Sequence, residues 1–159
     1  MNSTVQTPLM QFLTAQNIEF RLLEHQRPAT TIEDAAEQRG IRPSQMVKTL
    51  LLRDMGKQYA LACAPGDRSI DPKKVRQALQ WRRMTCADQS EVESITGYKV
   101  GTVTPLMLKR YMPIVLDPLL LNEPEVTISS GDRMAGLALS IHDLIQLCQP
   151  TIADICREE

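Results

Sequence analysis

Residues 47–64 read VKTLLLRDMGKQYALACA, and they narrow the choice of fold more than any other stretch. Two runs rich in leucine and β-branched residues flank RDMGKQ, a short polar turn. The pattern predicts strands over 47–53 and 58–64 joined as a hairpin. The first strand carries a lysine near its front. Alternate strand residues share a face, so Lys48 points the same way as Leu50 and Leu52. Two readings of that cation are open. It can lay its methylenes along apolar neighbours and keep its ammonium in water, or it can open into a pocket and meet an anionic ligand.

Helix starts surround the hairpin. Thr7-Pro8 sets a cap before a proline at the first helical position, with Leu9, Phe12 and Leu13 as the apolar stripe. Thr30 and Glu33 fit a capping box, and Gly40 suits the left-handed stop. Asp71-Pro72 opens KKVRQALQW, Ser90 and Glu93 form a second capping box ending at Gly97, and Ser140 caps IHDLIQLC. Strand-like runs lie between: IEFRLLE, RRMTC, PIVLD, EVTISS and LALS. This order is neither a regular βαβ alternation nor all-β. It predicts an α+β fold, one mixed, mostly antiparallel sheet surrounded by helices. The 159 residues suffice for one domain with a real core, expected over 1–159.

Composition removes several classes of function. A net charge of −1 is unlike that of a polycationic nucleic-acid binder, so any such contact must be local. Cys63, Cys86, Cys148 and Cys156 form no CxxC pair, and with His25 and His142 the only histidines, no zinc spacing exists. No metal or cofactor is expected. The cysteines read as reduced thiols, the N-terminus lacks a signal-peptide pattern, and no run is long enough to span a membrane. These features predict a soluble, cytoplasmic protein. Neither histidine has a serine or cysteine at a motif spacing, so a nucleophilic triad has no support.

Two further stretches can carry chemistry. In TGYKVGTVTP, residues 96–105, glycines permit close backbone approach, so amides can point at a ligand oxygen; an ordinary connection is the alternative. In ISSGDRMAGLALSIHDL, residues 128–144, Ser129, Gly131 and Arg133 sit at a strand end. An arginine held by a glycine turn can orient an anion, or the turn can simply be solvated.

Taken in order, VKTLLL, GTVTP as a G-x-x-x-P loop, and SSGDRMAGLALSIHDL resemble the YbaK/ProX family of freestanding aminoacyl-tRNA deacylases. These are related to the editing domain of bacterial prolyl-tRNA synthetase. The resemblance runs from FRLLEHQRPATTIEDAAE to SIHDLI. The chain departs from the family at Thr102, where some members have a second glycine, and at Met134, where Arg-Gly is common.

The resemblance implies a trans-editing hydrolase for mischarged tRNA, with tRNA for proline carrying a small wrong amino acid as substrate. It places Lys48 at the aminoacylated 3′ end and Gly101 at the reacting ester as the catalytic pair. Thr49, Leu50, Thr102, Val103, Thr104, Pro105, Ser129 and Gly131 are the expected substrate-binding residues, and Leu50 and Leu52 the floor of the pocket. Lys73 and Arg76, on the basic helix opened by Asp71, are the candidates for tRNA contacts, followed by Lys109 and Arg110. The tRNA 2′-hydroxyl can contribute to hydrolysis, a synthetase is a candidate transient partner, and a monomer is expected. The alternative is a non-catalytic module that senses charged tRNA or an amino acid through the same pocket. Which amino acid is removed is not legible here.

Overall fold

A computed structural model describes residues 5–158. Five helices, α1 (Pro8–Ala15), α2 (Ile32–Arg39), α3 (Pro72–Leu79), α4 (Gln89–Thr96) and α5 (Ile141–Cys148), pack around eight strands. The strands are β1 (Arg21–Glu24), β2 (Val47–Asp54), β3 (Tyr59–Pro65), β4 (Met84–Cys86), β5 (Ile114–Leu116), β6 (Glu125–Asp132), β7 (Ala135–Ser140) and β8 (Thr151–Ile152). The α+β class holds, but the strands divide into two sheets. One is antiparallel, in the order β1-β7-β6; the other is mixed, in the order β4-β2-β3-β5-β8. A single parallel bridge, Met46 to Thr127, ties the start of β2 to β6.

The hairpin forms as its sequence predicts, with Lys48 opposite Ala64 and Leu52 opposite Ala60. Its turn is fixed by Asp54, a buried carboxylate that accepts the amides of Gly56 and Gln58 and the Gln58 side-chain amide. Those bonds outweigh burial, which acts the other way, and hold its carboxyl below the usual range.

β3 is buried along its whole length because it is central, flanked by antiparallel β2 and parallel β5. The main core lies between the sheets: Leu51, Leu61 and Leu116 from one meet Val126, Ile128, Leu137 and Leu139 from the other, closed by Leu9 and Leu13 of α1 and Leu144 of α5. A second core on the far face of the mixed sheet joins Leu52, Ala60, Ala62 and Val115 to Val75 of α3.

Helix ends follow local chemistry, with two corrections. Thr7, Asp71 and Ser140 cap as expected, through Met10, Lys73 and His142 amides. For α2 the cap is Thr31, which accepts from Asp34, not Thr30. For α4 it is Asp88 with Glu91, two residues before the expected Ser90–Glu93 box. Gly40 and Gly97 end their helices in the left-handed region.

Candidate active site

β4 pairs only with Leu52–Asp54, so the first half of β2 keeps one edge free. Beside it opens a cavity of about 530 Å³, within the range of small-ligand sites. Its wall takes Lys48, Thr49 and Leu50 from β2, Gly101 and Val103 from the loop after α4, and Ser129, Asp132 and Arg133 from the β6–β7 hairpin. The remainder comes from His25, from α2 and the residues leading into it, from Met46 and Val47 at the start of β2, and from Ser69 and Ile70 ahead of α3. The three stretches singled out in the sequence therefore meet at one cavity.

The alternation read for β2 is only partly used. Lys48 and Leu50 line the cavity, but Leu52 does not: it is fully buried in the second core, under α3. The strand passes from an open edge to a covered one between these residues. Lys48 is half-buried and its Nζ donates to the backbone carbonyl of Arg68. Among the described residues no carboxylate is paired with it, so its charge is available to a ligand.

The loop after α4 splits its residues between two sides. Gly101 has φ +87°, and a Cβ there would come within 3.8 Å of the Arg133 guanidinium. Gly101 and Val103 face the cavity. Thr102 and Thr104 are buried and do not line it: Thr102 donates to the Lys99 carbonyl, and the Thr104 hydroxyl has no partner among the described residues. Pro105 lies at a separate surface hollow with Phe12 and Tyr111. Two contacts tie this loop to the hairpin turn. Arg133 Nη2 donates to the Val100 carbonyl at 2.9 Å, and the Tyr98 ring packs against Gly131, where a Cβ would meet it at 3.4 Å. Gly131, in the left-handed region, thus shapes the turn without lining the cavity.

The inner wall holds a group that the sequence did not announce. Arg39 ends α2, where a cation ordinarily complements the helix dipole in solvent. Here its guanidinium lies over Gly136 of β7, in space that a Cβ would occupy. Its Nε donates to His25 Nε2 at 3.0 Å and its Nη1 to Thr127 Oγ1 at 2.9 Å. Burial pulls its pKa down to about 10. His25 is buried, and its Nδ1 lies 2.8 Å from the Arg133 carbonyl. Burial also lowers its pKa, with Arg39 acting in the same direction. Charged side chains on the cavity wall are Arg39, Lys48 and Arg133 against Asp132, a positive site on a chain of net charge −1.

Lys73 and Arg76 lie on α3, which starts two residues beyond the wall residue Ile70. The neighbouring Lys74 is instead tied to Asp154, Glu158 and the Cys156 carbonyl. Arg110 stacks over Tyr59, 5.2 Å from the ring centre. Among the described residues no group of His, Cys, Asp and Glu is placed to hold a metal, and no helix is long and apolar enough to cross a membrane.

The two sheets define an α+β domain, and the cations on the wall of its cavity suit an anionic ligand. The chain belongs to the aminoacyl-tRNA editing domain family, whose sequence model matches residues 26–147. It is 30% identical over 146 residues to the uncharacterized protein YwhH of Bacillus subtilis, covering 91% of this chain and 92% of that one. It is 27% identical over 132 residues to the prolyl-tRNA editing protein ProX of Acetoanaerobium sticklandii, covering 80% of each. The crystal structure of hypothetical protein APE2540 superposes with a TM-score of 0.86 at 28% identity, over 94% of this chain and 99% of that one.

Proposed function

We propose that this protein is an aminoacyl-tRNA deacylase that acts in trans, in the cytoplasm, on tRNA for proline carrying a small wrong amino acid. The convergence of Lys48, the Gly101 loop and the Ser129–Arg133 turn on one cavity carries this reading, together with family membership. The name of the relative ProX supports proline as the tRNA identity.

A synthetase separates amino acids that differ by a methylene by only about 1–3 kcal/mol, so a second hydrolytic site is needed for accuracy. The ester is already activated, and the protein need supply only position and charge. Lys48, a compact charge on a flexible stem, exchanges the Arg68 carbonyl for a phosphate or another oxygen of the terminal adenosine. The amides of Gly101 and Val103, the loop residues that line the cavity, face the ester carbonyl and stabilise the oxyanion as water, helped by the tRNA 2′-hydroxyl, attacks; the Thr102 amide between them is held by the Lys99 carbonyl. Thr49 and Ser129 offer hydroxyls to the bound aminoacyl group.

The test is turnover. Catalytic amounts of protein are mixed with tRNA for proline charged with alanine, cysteine, serine or threonine, and free amino acid is followed. Multiple turnovers on at least one of these support the enzyme. Saturable binding without release would replace it with a non-catalytic sensor.

A further inference from the structure

The hydrogen bonds at the inner wall form a continuous path. Arg39 Nε donates to His25 Nε2, His25 Nδ1 meets the Arg133 carbonyl, and the Arg133 side chain reaches the Val100 carbonyl. The path begins on α2, passes the end of β1, crosses the β6–β7 turn and stops one residue before Gly101. The backbone reinforces it: the His25 amide donates to the Met134 carbonyl at 2.7 Å. His25 therefore grips the turn at two successive carbonyls, those of residues 133 and 134.

Proton positions along the path are fixed by elementary valence. A guanidinium nitrogen can only donate, so Nε2 of His25 must be the bare nitrogen. The single imidazole proton then sits on Nδ1 and is donated to the carbonyl. A second proton on the ring would set an N–H against the Arg39 N–H, a repulsive contact between two cations in a buried place.

We infer that Arg39, His25 and Arg133 are a relay of positioning residues that holds the Gly101 loop against the cavity, and that the relay requires a neutral His25 protonated on Nδ1. The catalytic part of this statement rests on the deacylase reading; the structural part does not. The Arg133 guanidinium holds the carbonyl of Val100, the residue before Gly101, and Gly101 itself stands at positive φ, so the guanidinium anchors the loop where its backbone is most particular. Displacement of about 1 Å in a positioned reacting group can cost about 100-fold in rate, so a single arginine at this place matters to turnover.

The charges around His25 set its response to pH. Arg39 and Asp34 face it from α2, and Asp132 from the hairpin turn. Asp34 is already paired with Arg27. Burial is the largest influence and lowers the value, with Arg39 acting the same way; together they prevail over the Arg133 carbonyl and the two acids, which favour the charged ring, so the folded protein binds the proton less readily than the unfolded chain. The relay is intact above the ordinary histidine range. It is lost as pH falls below that range, through the lowered folded value.

The chain's two histidines make the test direct. Long-range ¹H–¹⁵N spectra of the full-length protein read the tautomer of His25, and amide exchange reads the order of residues 99–103. The expected result is an Nδ1–H ring that titrates below an ordinary histidine. In Arg39→Met the titration moves up, and Arg39→Lys, which keeps a donor, moves it less. Arg133→Met leaves the ring unchanged, because the carbonyl is backbone, but speeds exchange over 99–103. It also lowers kcat on a hydrolysed substrate about tenfold or more with little change in KM, and Arg133→Lys recovers part of the loss. An Nε2–H ring, an ordinary titration, or wild-type loop exchange in Arg133→Met overturns the relay. If no charged tRNA is hydrolysed, the deacylase reading fails, while the spectra and exchange still decide the relay.

Discussion

The guanidinium of Arg39 occupies the place where a β-carbon of Gly136 would be. A glycine in a central strand weakens the strand unless something uses the space, and here a cation from another element uses it. Gly136→Ala must push Arg39 off the sheet and break its bonds to His25 and Thr127. The expected cost is about 1–3 kcal/mol, the range for overpacking a core, read as a lower urea midpoint at unchanged slope. A midpoint equal to that of the wild type would show that the guanidinium has another seat.

Lys48 carries the proposed contact with the tRNA end, yet the fold uses it little. Its ammonium holds one carbonyl, that of Arg68, and its side chain is half-buried at an open strand edge. Lys48→Ala is expected to abolish deacylation while lowering stability by less than about 2 kcal/mol, the scale of one hydrogen bond to a charged group. Near wild-type turnover by the folded variant removes Lys48 from the mechanism.

The loop after α4 separates backbone chemistry from side-chain chemistry. Gly101→Ala strains a positive φ, although its Cβ would meet Arg133 only at ordinary contact distance, and turnover is expected to fall about 10²–10³-fold, the effect of losing a preorganised oxyanion donor. The Thr104 hydroxyl is fully buried and lacks a hydrogen-bond partner among the described residues. Thr104→Val keeps the shape and removes an unsatisfied polar atom, so stability should stay equal or rise, with turnover retained. If Thr104→Val were the more damaging change, a hydroxyl and not an amide would be serving the reaction.

Much of this was legible because the signals are local. Thr7-Pro8, Asp71-Pro72, Ser140 and the RDMGKQ turn each satisfy nearby backbone groups, and the structure builds them as read. The capping errors have the same origin. Thr30 and Thr31 are equally good caps by type, and Asp34 decides by accepting the Thr30 amide while donating its own amide to Thr31. The division into two sheets and the fate of Leu52 depend on where β4 stops pairing, which no local pattern records. Arg39 was invisible for the same reason. At the end of a helix it reads as a solvated cation, and only Gly136, far along the chain, makes room for it. The role of His25 carries no sequence signal, since its partners are a guanidinium and a main-chain carbonyl that have no motif spacing.

Asp117 gives the fold a separate acid sensitivity. Buried in the loop after β5, it accepts the amides of Leu119, Ile155 and Cys156 and so pins the C-terminal segment. Burial alone would raise its pKa, but these donors outweigh it and the net shift is downward. Its contribution is therefore full above the unfolded carboxylate value, about 3.9, and is lost as pH falls below that through the folded value. Asp117→Ala strands the buried amides of Ile155 and Cys156 and the partly buried amide of Leu119, and should cost at least about 2 kcal/mol at neutral pH, with a shallower fall in stability below pH about 4 than the wild type shows. Parallel acid-unfolding curves for the two proteins would contradict the assignment.

Salt dependence tests the proposed partner. The chain's net charge of −1 gives it no general attraction for nucleic acid, so binding should rest on few contacts: Lys48 in the cavity, and Lys73 and Arg76 on the helix that begins beside it. Each phosphate contacted on a single-stranded end contributes a slope of about −0.7 in a plot of log affinity against log salt. Lys73→Ala and Arg76→Ala are each expected to make the slope shallower by about that amount if the residue touches such a phosphate, and to weaken binding alike whatever amino acid is attached. Lys48→Ala should reduce the slope too, but unlike the other two it should also remove turnover at saturating tRNA. A slope that is flat between low and physiological salt, or unchanged in all three variants, would mean that the tRNA is held elsewhere or is delivered by a synthetase.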